Sequence, residues 1–318
     1  MIETIPAGAP VFLFSGQGSQ KPGMGADLMD MPEVRATFAC ASEVLGFDVA
    51  DLVLNADAAE LNDTRNAQPA LCVLSVAVAR ALMARGVQPA AVLGFSLGQV
   101  SALAVSGMLT DEATFALVKV RSQLMAEAAA AHPGAMSALL KADEDGVQAL
   151  CEQCAEGDVL VPANFNCPGQ IVIAGTPAAV ERAEAAWAEA GKRSSRLATS
   201  GAFHSPLMAS AAEGMAAYLE SVEFSEARVP LVCNVTARPL SAADARENLV
   251  RHLTSPVRFD ASVAALAAAG ADTFVEVGNG CVLANLVKRI DKTATRACVQ
   301  DRASFDALLA AQAASDSE

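Results

Sequence analysis

The chain has 318 residues, of which 53% are hydrophobic and 18% charged; this excludes a disordered chain and supplies a large core. Twenty-two Lys and Arg against 36 Asp and Glu give a net charge of −14. Such a field repels nucleic acid and anionic membrane, and any anionic partner must find a local basic patch. Aromatic residues make up only 4%, so Ala, Leu and Val must fill most of the interior. The N-terminus has no basic segment followed by a long apolar run, and Arg80 and Arg85 interrupt the most apolar stretch. The expectation is a cytoplasmic protein with no membrane span.

In chain order, the short apolar run Val11–Phe14 ends at Gly16-Gln17-Gly18 and reads as a buried strand entering a glycine turn. Residues 68–85 are apolar at helical spacing. Ala90–Leu93 is a second buried strand, closed by Gly94, and Val100–Val105 is a helix ending near Gly107. From about Pro133 the texture changes. Strand-like segments at 135–140, 158–164, 170–175 and 194–199 alternate with helical ones at 143–155 and 177–191 in the order β-α-β-β-α-β, a split ferredoxin-like plan. Thr273–Val277 is a strand leading through Gly278-Asn279-Gly280 to a helix over 282–290, and the Ala/Ser/Asp-rich tail after Leu309 is expected to fray. Short buried strands alternating with helices predict an α/β fold with a largely parallel sheet. The division expected is a large core of residues 1–130 and 201–318 with a ferredoxin-like insert at 131–200.

The eight cysteines are scattered, and without a secretion signal they are expected as reduced thiols. Cys151-x-x-Cys154 falls in a helix, with no second pair or nearby histidines, so it reads as small packing residues and not as a metal site.

Gly94-Phe95-Ser96-Leu97-Gly98 matches G-x-S-x-G between a strand and a helix. That context turns the chain sharply, projects the hydroxyl and sets it at a helix N-terminus, where free N–H groups can hold an oxyanion. Serine needs a base to attack at neutral pH. Three histidines are available. His132 precedes Pro133-Gly134 as a turn residue, and His252 lies near the end of a helix over 245–253. His204 sits in a loop where the insert returns to the core, a place where clefts form. His204 is the expected base. Its orienting partner is open at this level: an acidic side chain or a main-chain carbonyl would serve.

Seven segments occur together in one order: 14–20 (FSGQGSQ), 94–98 (GFSLG), 121–125 (RSQLM), 164–166 (NFN), 201–208 (GAFHSPLM), 234–237 (NVTA) and 276–280 (EVGNG). On these the chain, from about residue 11 to 290, resembles the malonyl-CoA:acyl-carrier-protein transacylases. The resemblance implies an α/β-hydrolase-like core with an inserted ferredoxin-like subdomain. It implies ping-pong transfer of malonyl from malonyl-CoA through an ester on Ser96 to the phosphopantetheine thiol of acyl carrier protein, with coenzyme A released and His204 as base. It further implies an oxyanion hole from the backbone N–H groups of Gln17 and Leu97, Arg121 paired with the free malonyl carboxylate, Asn164 among the substrate-binding residues, and the carbonyl of His252 orienting His204. No permanently bound cofactor or metal is implied, and a monomer is expected. A guanidinium suits that role because its planar fork matches a carboxylate.

The chain departs from the family pattern at Phe95 (usually His), Gln99 (usually Glu), Asn279 (usually Pro) and His252 (usually Gln). The turn at 16–25 lacks a following Gly-Lys-Ser/Thr and has Lys21 in the third glycine position of G-x-G-x-x-G, so it is not a phosphate cradle. Because coenzyme A and acidic carrier proteins would be repelled at long range, Lys192, Arg193, Arg196, Lys288 and Arg289 are candidates for a local docking patch. The readings that compete are a malonyl loader for polyketide synthesis or malonate decarboxylation, a serine esterase, which would have no use for Arg121, and an idle carrier-binding module.

Overall fold

A computed structural model describes residues 2–199 and 201–315. Its strands are β1 (Pro10–Phe14), β2 (Ala91–Gly94), β3 (Ala135–Ala142), β4 (Leu160–Cys167), β5 (Gly169–Gly175), β6 (Ser194–Arg196), β7 (Leu231–Val232), β8 (Val257–Arg258), β9 (Thr273–Val277) and β10 (Thr295–Val299). One five-stranded sheet has the order β10-β9-β1-β2-β7, and every pairing in it is parallel. Val11, Phe12, Leu13 and Phe14 are all fully buried, which is why β1 reads as an unbroken apolar run: a central parallel strand is covered on both faces.

The second sheet, also of five strands, has the order β6-β3-β5-β4-β8. Its first three pairings are antiparallel, as the split plan requires, and the fourth, β4 with β8, is parallel. β8 comes from beyond residue 200, so the second sheet is completed by a strand from outside the 131–200 segment. Two residues are too short a run to read as a strand in sequence. The strand expected over 194–199 ends at Arg196, and the expected bound at 200 lies outside the described residues.

Three expectations are corrected. The tail does not fray at Leu309: a helix runs Arg302–Ser315, rich in alanine, the best helix former, and only 316–318 lie outside the described residues. The helix Thr64–Ala84 is long and apolar enough to cross a membrane despite Arg80, but 83% of its most apolar window is buried inside the fold. It is a core helix, and Arg80 is accommodated by Asp111 at 2.7 Å and the Ala104 carbonyl at 3.0 Å. Finally, Cys281 and Cys298 are joined in a disulfide, with Cα atoms 5.6 Å apart, leaving six free cysteines where eight were expected. The two lie 17 residues apart in sequence, and only the parallel pairing of β9 with β10 brings them together. Cys151 and Cys154 pack into the apolar core against the second sheet, on the helix Glu144–Ala155.

The parallel strands aim the site. The turn carrying Gln17 leaves the C-terminal end of β1, and Ser96 follows β2, its neighbour. In open parallel sheets ligand crevices lie at these ends. The second sheet supplies Asn164 on β4, and the chain returning from β6 brings His204.

Candidate active site

Ser96 occupies a backbone conformation of φ 51° and ψ −103°, outside the regions open to L-residues without strain. The two glycines of the motif make this turn fit. A Cβ at Gly94 would stand 1.9 Å from the Gly98 carbonyl carbon, and one at Gly98 would stand 1.9 Å from the Phe14 carbonyl oxygen. Strand, turn and helix are pressed together so closely that only glycine is admitted. Asn234, fully buried, clamps the turn from both sides. Its Oδ1 accepts from the Ser96 N–H at 2.8 Å, and its Nδ2 donates to the Gly94 carbonyl at 2.7 Å. Asn234 is itself fixed by Gln99, whose Oε1 accepts its backbone N–H at 2.6 Å. Ser96 caps the helix Leu97–Ser106, so the Leu97 N–H is one of the first-turn donors without an intrahelical acceptor.

His204 is also held at positive φ, 61°. Its Nδ1 lies 2.8 Å from the carbonyl oxygen of His252. A carbonyl only accepts, so Nδ1 carries the proton. Nε2 is left as a lone pair 2.7 Å from the Ser96 Oγ, placed to accept the hydroxyl proton. Burial first, and the charge of Arg121 second, push the imidazole down to about 4, partly offset by the hydrogen bond to His252. The ring is therefore neutral at pH 7, with its Nε2 lone pair free to accept a proton. The His252 ring is buried 5.1 Å from that of His204 and is pushed well below the usual histidine range by burial.

Arg121, on the helix Asp111–Ala131, is 3% exposed. Its hydrogen-bond partners among the described residues are uncharged. Nη2 donates to the Ser96 Oγ at 3.3 Å, and Nη1 donates to Gln68 Oε1 at 2.5 Å. Burial pulls it down to about 10, so it is still charged at pH 7. A desolvated cation with only neutral partners is a receptor for an anion.

These groups open on a cleft of about 330 Å³, lined by Gln17, Gln68, Asn164 and Leu97 together with apolar Met125 and Phe203. All seven residues expected from sequence are thus brought together: the Ser96 hydroxyl bonded to both His204 and Arg121, Gln17, Leu97 and Asn164 on the wall, and the His252 carbonyl behind the base. Sequence reasoning missed Gln68 and gave Asn234 no role. Gln68 left a signal, a polar residue at the buried face of an apolar helix. Phe95, where the family pattern has His, lines the cleft and packs edge-on against Phe259 at 5.6 Å.

Residues 11–304 match the acyl transferase domain family. The malonyl CoA-acyl carrier protein transacylase of Salmonella typhimurium is 43% identical over 302 residues, 94% of this chain and 98% of that protein. The crystal structure of the malonyl-CoA:acyl carrier protein transacylase of Xanthomonas oryzae superposes with a TM-score of 0.93 at 41% identity, covering 96% of this chain and 99% of that one. A malonyl-transacylase solved in complex with a type II PKS acyl-carrier protein gives a TM-score of 0.91 at 41% identity, covering 94% and 98%. Fold, site and comparisons agree, and the chain belongs to the acyl transferase domain family, among its malonyl CoA-acyl carrier protein transacylases.

Proposed function

We propose that this chain carries malonyl from malonyl-CoA to the phosphopantetheine thiol of acyl carrier protein by a ping-pong route through Ser96, supplying extender units for fatty acid synthesis. In the first half, the Ser96 hydroxyl gives its proton to His204 Nε2 as Oγ attacks the thioester carbon. The carbonyl oxygen becomes an oxyanion facing the Gln17 and Leu97 N–H groups. Collapse breaks the C–S bond, and coenzyme A leaves with the proton from His204. In the second half the carrier thiol gives its proton to His204, attacks the ester and restores the Ser96 hydroxyl. Arg121 pairs with the malonyl carboxylate throughout, Asn164 contacts the substrate, and the His252 carbonyl steadies the base. The observation that carries this reading is a buried arginine with no anionic partner among the described residues, 3.3 Å from a serine nucleophile. An esterase would have no use for that charge.

This chemistry uses no permanently bound cofactor and no metal. The reading takes the protein as a cytoplasmic monomer with no nucleic-acid or membrane partner, consistent with a charge of −14. It takes 131–200 as a ferredoxin-like unit inserted in a core of 1–130 and 201–318. For carrier docking it takes the cations at the end of the insert. Arg196 closes β6, directly before Leu197–Thr199 on the cleft wall, and is held by Glu184 at 2.7 Å, while Lys192 lies 3.9 Å from the centre of the Trp187 ring. Arg193 and Lys288 are exposed. The similarity to a transacylase captured with a polyketide carrier supports a second reading, delivery to a type II polyketide carrier protein.

Intact-mass spectrometry after mixing with malonyl-CoA tests the proposal. One malonyl adduct is expected, absent in Ser96→Ala and discharged by acyl carrier protein. Absence of the adduct from the unaltered protein would overturn the reading; rapid discharge to water without carrier would favour the esterase.

A further inference from the structure

The guanidinium of Arg121 and the turn that carries Gln17 are joined by one side chain, Gln68. It is 1% exposed, on the helix Thr64–Ala84. Its Oε1 accepts from Arg121 Nη1 at 2.5 Å, and its Nε2 lies 3.3 Å from Gln17 Oε1 and 3.5 Å from Met125 Sδ. Gln17 Nε2 in turn donates to Thr64 Oγ1 at 3.0 Å. The direction of this chain is not free. Arginine only donates, so Gln68 must present its oxygen to Arg121 and its NH₂ to Gln17; Gln17 must then present its oxygen to Gln68 and its NH₂ to Thr64. The cation thus orients the Gln68 amide directly and the Gln17 amide through it.

Resting on the malonyl-transfer reading, we propose that Gln68 is a positioning residue that sets acyl selectivity: it fixes one arm of Arg121 without neutralising it and ties that arm to the oxyanion turn. Its amide has the geometry of a glutamate but no charge. A carboxylate at position 68 would make the ion pair with Arg121 internally and leave nothing for a substrate carboxylate. An amide holds Nη1 while leaving the full positive charge to face the cleft through Nη2. Because the same amide grips Gln17, an Arg121 held in register also holds the oxyanion turn in register. The carboxylated tail and the reacting carbonyl are thus located by one rigid set of hydrogen bonds, which is what preorganisation requires.

The test compares Gln68→Glu and Gln68→Met, both close in volume to glutamine, by kcat and KM for malonyl-CoA and acetyl-CoA. Gln68→Glu should raise KM for malonyl-CoA on the order of 100-fold, the usual scale for losing a buried charge partner, and collapse the malonyl-to-acetyl ratio of kcat/KM by a similar factor. Gln68→Met keeps the cation but frees both of its neighbours, so kcat should fall about 10-fold alongside a smaller rise in KM. Labelling of Ser96 by a fluorophosphonate reports whether each variant is folded. A Gln68→Glu enzyme that is labelled and keeps the unaltered malonyl-to-acetyl ratio overturns the proposal. Failure of the malonyl-transfer reading itself is separate: it would appear as no malonyl adduct on the unaltered enzyme.

Discussion

Nη2 of Arg121 stands 3.3 Å from Oγ of Ser96, and the same oxygen is 2.7 Å from Nε2 of His204. One hydroxyl therefore accepts from a buried cation while it donates to a neutral base. The cation serves two ends: it waits for the acyl tail, and it depresses the basicity of its neighbour. The two effects can be separated by experiment.

Removing the cation should cost malonyl transfer most. In Arg121→Ala the substrate carboxylate would enter a mostly apolar cleft unpaired, a loss of about 2–5 kcal/mol. That corresponds to a fall in kcat/KM for malonyl-CoA of roughly 30-fold or more. Acetyl-CoA carries no such charge, so its kcat/KM should fall far less and the selectivity should relax. Arg121→Lys should lie between, since an ammonium keeps the charge but not the planar fork. Steady-state kinetics on both thioesters decide it; unaltered malonyl kcat/KM in Arg121→Ala would remove the residue from the mechanism.

The acid limb of the rate profile follows from the His204 ring. Its neutral form is the active base, and burial with the Arg121 charge brings it down to about 4. kcat/KM should therefore hold from neutrality down to about pH 5 and fall only as pH approaches 4, not near the ordinary value of 6.5. In Arg121→Ala one of the lowering causes is gone, so the limb should move to higher pH. Stability follows the same sign. Between pH 6.5 and about 4 the unfolded chain binds a proton that the folded chain refuses, so stability falls as pH drops through that window. A limb near 6.5 in the unaltered enzyme would contradict the buried, neutral imidazole.

How much of this was legible in the sequence depends on how far apart the partners lie. The elbow is a local feature: five residues between a strand and a helix, with Gly94 and Gly98 required by close backbone approach. The base could be found by elimination among three histidines. Arg121 could not be separated by spacing from an exposed helix arginine; only the packed fold buries it. The Asn234 clamp spans 138 residues to Ser96, and Gln68 lies 53 residues from Arg121. Neither pairing leaves a local trace, although Gln68 itself stands out as a polar residue on the buried face of an apolar helix. The same is true of β8, which exists only by pairing with the distant β4, and of the Cys281–Cys298 bond, which needs β9 and β10 side by side.

Asn234 should act on the nucleophile and not on selectivity. Asn234→Ala would leave the Ser96 N–H and the Gly94 carbonyl without their partner at a strained turn, about 1–3 kcal/mol for each buried group. The rate of Ser96 labelling by a fluorophosphonate, and the single-turnover rate of malonyl loading, should both fall about 10- to 100-fold. The malonyl-to-acetyl ratio should persist, because Arg121 and Gln68 are untouched. A changed ratio with an unchanged labelling rate would show that Asn234 reads the substrate and does not hold the serine.

Glu276 supplies a prediction independent of catalysis. It is fully buried on β9, with Oε2 accepting the Ala284 N–H at 2.9 Å at the start of the helix Val282–Ile290, and Oε1 without a partner among the described residues. Burial pushes its carboxyl up to about 7, and the helix N–H groups offset only part of that. The folded chain thus keeps a proton that the unfolded chain has already released near pH 4.5. The stability this provides is complete below pH 4.5 and is lost as pH rises toward 7, by roughly 3 kcal/mol in all. Glu276→Gln retains an oxygen for the Ala284 N–H and carries no charge at any pH. Its melting temperature should exceed that of the unaltered protein at pH 8, and the gap should shrink steadily as the pH is lowered to 5. A gap that is the same at both pH values would mean that Glu276 enters the folded core already ionised, its charge held by the helix N-terminus.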